Sequence, residues 1–178
     1  MFGKILAFIA AVLGIVCVIA VFQSDNFKVE RSMAISAPAA KVFAQVNDFH
    51  MWQAWSPWEK MDPSMKRTFE GPGSGTGAMY SWEGNNKVGQ GKMTLTQSKP
   101  SELIQIQLDF LKPMKSTNQT IFSFKPEGKQ TIVTWTMTGE KPFISKVCCL
   151  FMNMDKMVGG DMEKGLAQMK SVAEASTN

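Results

Sequence analysis

His50 is the only histidine in the chain, and its nearest carboxylates are Asp48 and Glu59. A hydrolytic triad or a histidine-based metal site needs several partners converging on the imidazole. His50 could at most be a general base working alone, and its setting reads as a loop. Glu59 and Asp62 lie three apart beside Trp58. Such a pair can divide acid and base roles if burial separates the two pKa values. The structural reading has better local support: Asp62-Pro63 is turn chemistry, and Glu59-Lys60 is a solvated pair. Gly71-Pro-Gly-Ser-Gly-Thr-Gly77 looks superficially like a phosphate loop, but no Gly-Lys-Ser/Thr follows and a strand comes next. It reads as a flexible hairpin near a pocket mouth. Of the three cysteines, Cys148 and Cys149 are adjacent, a spacing that rarely closes a disulfide. Both read as free buried thiols. These residues supply no catalytic set, no metal site and no cofactor site.

The remaining chemistry is that of a binding pocket. Trp52, Trp55, Trp58, Tyr80, Trp82 and Trp135 fall within one small domain, and the chain holds 14 methionines. Aromatic rings bury large areas, and thioether side chains adapt to irregular shapes. Small-molecule pockets are mostly apolar with few polar groups. Candidate walls are these aromatics with Phe69, Met93, Ile106, Leu108, Phe122, Phe124, Met137, Phe151 and Met154. Arg31 and Arg67 stand at otherwise apolar phases of their strands. Each either snorkels outward or orients an acidic head group inside.

Those residues must be positioned by a sheet and a helix. Phe27–Ala37 alternates as a strand, and Ser36-Ala-Pro38 opens a short helix with Val42, Phe43 and Val46 on one face. Residues 47–63, with Trp52, Trp55 and Trp58 three apart, read as a short helix followed by a loop, since Pro57 breaks any longer helix. Strands follow at 65–70, 76–83, 88–97, 102–110, 116–125 and 130–139, separated by Gly-, Asn- and Pro-rich turns. That order indicates an antiparallel meander with one wet face. Thr120, Phe122 and Phe124 share one face. Gly89 and Gly91 suggest a bulge or a close backbone approach. Residues 142–175 read as one long helix, bent at Gly159-Gly160.

The N-terminus belongs to a different solvent. Ile5 to Phe22 carries no charged residue. As a helix rising 1.5 Å per residue it spans about 27 Å, close to the hydrocarbon thickness of a bilayer. Residues 1–23 therefore read as a membrane anchor, with a cleaved signal peptide as the rival: Lys4 supplies a positive start, and Val18 and Ala20 are spaced as in a cleavage site. Residues 24–26 are a linker. Lys and Arg are few on both sides of the span, which points only weakly to a cytoplasmic N-terminus and an extracytoplasmic domain. The net charge of +4 favours an anionic membrane surface. It is too diffuse for nucleic acid.

This chain resembles the helix-grip (SRPBCC, START-like) superfamily. That superfamily includes the START lipid-transfer domains, the birch-pollen allergen and the polyketide cyclase/dehydrase family. The resemblance is carried by Ser36-Ala37-Pro38-Ala39 with Val42-Phe43, by Asp48-Phe49…Trp52…Trp55-Ser56-Pro57-Trp58, and by Gly71–Gly77. Tyr80-Ser81-Trp82, Gly89-x-Gly91 and Gly165-Leu166…Met169-Lys170 continue it over residues 27–175. It implies an α+β fold in which a curved antiparallel sheet of six or seven strands wraps a long C-terminal helix, with a cavity between them. It implies no fixed catalytic set. The expected function is membrane-tethered binding of a hydrophobic small molecule, lipid or aromatic and polyketide-like. The alternatives are a cyclase/dehydratase-type enzyme using the same pocket, or a protein-interaction module with a filled cavity.

Overall fold

The computed structural model describes residues 2–175. Helix α1 spans Phe2–Val21 and is long and apolar enough to cross a membrane. Strand β1 (Asn26–Ile35) follows, then α2 (Ala39–Asn47), a 3-10 turn at Phe49–Met51, the single turn α3 (Trp52–Trp55) and a second 3-10 turn at Trp58–Lys60. Six strands come next: β2 (Lys66–Glu70), β3 (Met79–Glu83), β4 (Gln90–Lys99), β5 (Leu103–Lys112), β6 (Ser116–Glu127) and β7 (Gln130–Glu140). Two helices close the chain, α4 (Phe143–Cys149) and α5 (Met154–Ala175).

The seven strands form one antiparallel sheet in the order β1-β7-β6-β5-β4-β3-β2. Every neighbour from β2 to β7 is also a sequence neighbour, and β1 returns to pair with β7. The alternation along β5 makes the register explicit. Ile104, Ile106 and Leu108 are buried, while Gln107 on the opposite face is exposed. This is the helix-grip α+β architecture, with the long last helix laid across the inner face of the sheet.

Helix α5 buries Met162, Leu166, Met169 and Ala173, a stripe at helical spacing. It begins where the Asn153 side chain accepts a hydrogen bond from the Lys156 amide at 2.9 Å. The tail is therefore two helices broken at 150–153, and Gly159-Gly160 lies inside a continuous α5. Gly159 permits a close crossing: a side chain there would collide with the Arg31 guanidinium. Arg31 bridges β1 to α5, donating from Nε to Glu163 (2.6 Å) and from Nη1 and Nη2 to Asp155 (3.0 and 2.9 Å). It neither snorkels free nor enters a pocket.

The core centres on stacked and edge-on aromatics. Phe122 and Trp135 stack at 4.7 Å, and Trp55 meets both edge-on. The Trp52 and Trp55 indoles donate to the carbonyls of Val46 and Gln45, fixing α3 to the end of α2.

Candidate functional site

The Trp52–Glu59 segment arches over the sheet and covers a cavity of about 90 Å³. Its cover is Trp52, Ser56, Trp58 and Glu59; its floor is Tyr80, Trp82, Met93, Leu108, Phe110, Thr120, Trp135 and Met137, with Met65 and Val88 at the side. No residue of α5 lines it, although the sequence reading placed the cavity against that helix. The reason is packing: a side chain at Gly165 would stand only 3.0 Å from the Trp135 ring and 3.1 Å from Pro57. Helix and sheet touch there, and the space remains only beneath the Trp52–Glu59 arch.

Of the residues named from sequence, Trp52, Trp58, Tyr80, Trp82, Met93, Leu108, Trp135 and Met137 meet at this cavity. Trp55, Ile106, Phe122 and Phe124 are buried in the core behind it. Phe69 stacks on Tyr80 from outside (5.2 Å) and on His50 (4.1 Å). Phe151 is 76% exposed in the break between α4 and α5, and Met154 starts α5 beside it. Their helical spacing misled, because the helix assumed for them ends at Cys149. Cys148 is exposed and Cys149 half-buried, so neither is a buried thiol. The Gly71–Gly77 loop lies at the other end of β3 from Trp82. Gly75 donates to the Asn47 carbonyl and Gly77 to that of Leu95, so the loop is pinned there and forms no mouth.

Glu59 overturns its sequence reading most clearly. It is buried, not a solvated partner of Lys60. Arg67 Nε donates to Glu59 Oε2 at 2.7 Å, and the Tyr80 hydroxyl donates to Oε1 at 2.5 Å. Arg67 itself lies outside the cavity wall and reaches it through Glu59. Burial, and then the hydrogen bond to Glu59, push the Tyr80 phenol far above its usual range. The hydrogen bond to Glu59 also raises the Arg67 guanidinium. Asp62 keeps its turn role. It accepts from the Ser64 hydroxyl (2.7 Å) and from the Asn85 amide (2.7 Å), which hold its carboxyl below the usual range.

Two residues of this wall, Thr120 and Trp135, each carry a further buried polar atom. Thr120 Oγ1 and Trp135 Nε1 are buried without a hydrogen-bond partner among the described residues. A buried polar group without a partner is uncommon and calls for an explanation. Sequence phase had set Thr120 beside Phe122 and Phe124, but nothing in sequence marks a hydroxyl as unpartnered. Trp58 of the cover and Trp82 of the floor are half-buried, so the cavity's rim runs between them. Trp82 packs against Gly91, where a side chain would strike its ring, and meets Phe110 edge-on at 5.8 Å. A larger depression of about 890 Å³ on the outer sheet face, with Thr96, Gln107, Gln119 and Thr138, is open and of mixed polarity. It lacks the apolar enclosure of a small-molecule site.

The seven-stranded sheet and the long last helix, with an apolar cavity beneath the Trp52–Glu59 arch, define a helix-grip domain. The chain belongs to the polyketide cyclase/dehydrase and lipid transport family, whose model matches residues 26–174. Among proteins of curated function, none shows significant sequence similarity to it. Solved structures share the fold. TTHA0849 from Thermus thermophilus superposes with a TM-score of 0.62 at 16% identity, covering 85% of this chain and 100% of that one. A Thermobifida fusca protein gives 0.61 at 20% identity, covering 80% and 90%. DynU16, a protein of the dynemicin biosynthetic locus, gives 0.58 at 14% identity, covering 86% of this chain and 49% of its own.

Proposed function

We propose that this chain binds a hydrophobic small molecule in the cavity beneath the Trp52–Glu59 arch while α1 tethers it to a membrane. The observation that carries the reading is a pair of unpartnered buried polar atoms, Thr120 Oγ1 and Trp135 Nε1, on two residues that line an apolar cavity. An indole N–H can only donate, so the ligand presents a hydrogen-bond acceptor on an apolar frame. The resting volume is below the several hundred Å³ typical of drug-sized ligands. A lipid or polyketide-like molecule therefore enters by moving the flexible walls Met65, Met93 and Met137 and the rim rings Trp58 and Trp82. Membership of a lipid-transport family supports this class of ligand.

Tethering is supported by α1, which leaves all its apolar residues except Ala20 and Val16 exposed in the absence of lipid. We place the soluble domain, residues 27–175, on the extracytoplasmic side. Native mass spectrometry of the full chain released from detergent is the test. A defined molecule retained by the wild type and lost on Thr120→Val supports the reading. An empty protein that retains nothing from a panel of lipids and aromatic acceptors overturns it, and leaves the interaction module.

A second reading rests on Glu59. A buried carboxylate hydrogen-bonded to a phenol on the cavity wall is a group that can move a proton to an enclosed ligand. If the ligand is turned over, Glu59→Gln and Tyr80→Phe abolish turnover while retaining the molecule.

A further inference from the structure

We propose that the end of the domain nearest α1 is a second membrane contact, docked on a bilayer that contains anionic lipid. This rests on the reading of α1 as a span. Strand register brings the relevant segments together. Asn26 pairs with Glu140, Gly139 with Asn118, and Ser116 with Phe110. The start of β1, the β5–β6 hairpin and the entry to α4 therefore share one end of the sheet. That end displays Met114 (52% exposed), Phe143 (47%), Ile144 (63%), Phe151 (76%) and Met152 (52%). Exposed apolar side chains so concentrated mark an interaction surface.

The position of α4 identifies the partner. Helix α1 packs on α4. The α1 residues withdrawn from solvent are Val16 and Ala20, one turn apart. Val16 lies five residues before the end of α1, about 8 Å along the axis. An α4 held against that part of a membrane span lies at the boundary between headgroups and acyl chains. The buried Lys146 of α4 forms an ion pair with Asp25, just past the span, and ties the two together. Exposed Lys87, Lys112 and Lys115 and half-buried Lys141 rim this end, against Glu83 and Glu140. That excess of positive charge suits an anionic surface. The cavity lies in the same half of the sheet, since Trp82, Val88, Phe110 and Met137 stand near these strand ends. Docking therefore presents its rim to lipid, the phase in which an apolar ligand is concentrated.

The test uses the full chain in phosphatidylcholine–phosphatidylglycerol liposomes that carry a nitroxide-bearing lipid. A fluorophore is attached to native Cys148 on α4 in a Cys17→Ala, Cys149→Ala chain, to native Cys17 in a Cys148→Ala, Cys149→Ala chain, or at the distal β6–β7 turn through Lys129→Cys in a chain lacking all three cysteines. The proposal expects loss of fluorescence at the Cys148 and Cys17 positions and none at the distal turn. Loss at Cys17 alone overturns the docking and leaves the tether standing. Loss at neither overturns both. As a control free of folding artefacts, the unsubstituted chain is treated with maleimides and mapped by mass spectrometry. Cys148 reacts faster with a lipid-soluble maleimide than with a charged one if docked. Slow reaction with both, without lipid quenching, shows a protein partner or a second copy on this face and overturns the proposal.

Discussion

The Tyr80 hydroxyl donates to Glu59 Oε1 at 2.5 Å, joining residues 21 apart in sequence across the wall of the cavity. Tyr80 is the only tyrosine in the chain, so its ionisation can be read alone. Its folded pKa is raised above the ordinary value of 10.0 by burial and by Glu59. The neutral phenol is therefore favoured by folding. The stability this contributes is present below pH 10.0 and is lost as pH rises towards the folded value. Ultraviolet titration should show no phenolate well above pH 10.0, with the absorbance arriving together with unfolding. Glu59→Gln should move its onset down. A wild-type phenolate that appears near pH 10.0 in the folded protein contradicts the geometry.

Removing Glu59 strands two donors. Glu59→Leu leaves the Tyr80 hydroxyl and the Arg67 guanidinium without their acceptor and should cost on the order of 2–4 kcal/mol. Glu59→Leu with Tyr80→Phe should cost less than the sum of the two singles, because the second change removes one stranded donor. Urea unfolding of the four chains in the cycle checks this. Additive costs would show that the contact is not energetically coupled.

Much of the architecture is legible because periodicity reports burial. Ile104, Ile106 and Leu108 alternate with polar residues, so β5 is readable as a half-buried strand, and its neighbours follow. The break in the last helix is not readable that way. Val147, Leu150, Phe151 and Met154 continue a helical period straight through it, and only the Asn153 cap marks the restart. The cavity's polar set was hidden for a related reason. Glu59 beside Lys60 looks like a solvated pair, and the partners that hold it, Arg67 and Tyr80, come from strands β2 and β3. Thr120 shares the phase of Phe122 and Phe124, so its inward position was visible, while its lack of a partner is a property of three dimensions.

Gly91 controls the shape of the cavity floor. A methyl group there would strike the Trp82 ring and stand 2.5 Å from the Asp109 carbonyl. Gly91→Ala should therefore push Trp82 off its seat and destabilise the domain by about 1–3 kcal/mol. A changed near-ultraviolet tryptophan spectrum with unaltered strand content would report the displacement, and an unchanged spectrum would argue against it.

Acid should loosen the turn that follows the arch. Asp62 is held below the ordinary 3.8 by the Ser64 hydroxyl and the Asn85 amide. Asp155 is lowered by its hydrogen bonds to Arg31. For depressed carboxylates the contribution is fully present above pH 3.8 and is lost as pH falls through the folded value. The melting temperature should therefore fall below about pH 4. Asp62→Asn should be less stable at neutral pH and show a shallower fall in acid. A wild-type curve that stays flat to about pH 2 would remove Asp62 from this role.

Thr120 sets function against stability. Its hydroxyl is buried with no partner among the described residues, and an unmatched buried polar group costs about 1–3 kcal/mol. Replacement by the near-isosteric valine should raise the stability of the ligand-free protein by about 1 kcal/mol, where most core changes lower it. The same change removes a hydrogen bond to the ligand and should weaken binding roughly tenfold. Thermal denaturation and ligand retention, measured on the same preparation, give the two signs. Opposite signs mean that the hydroxyl is kept at the expense of the fold because the ligand uses it, as expected at a site that violates the packing rules around it. If Thr120→Val instead destabilises the empty protein, the hydroxyl already has a partner in an ordered water and its role is structural.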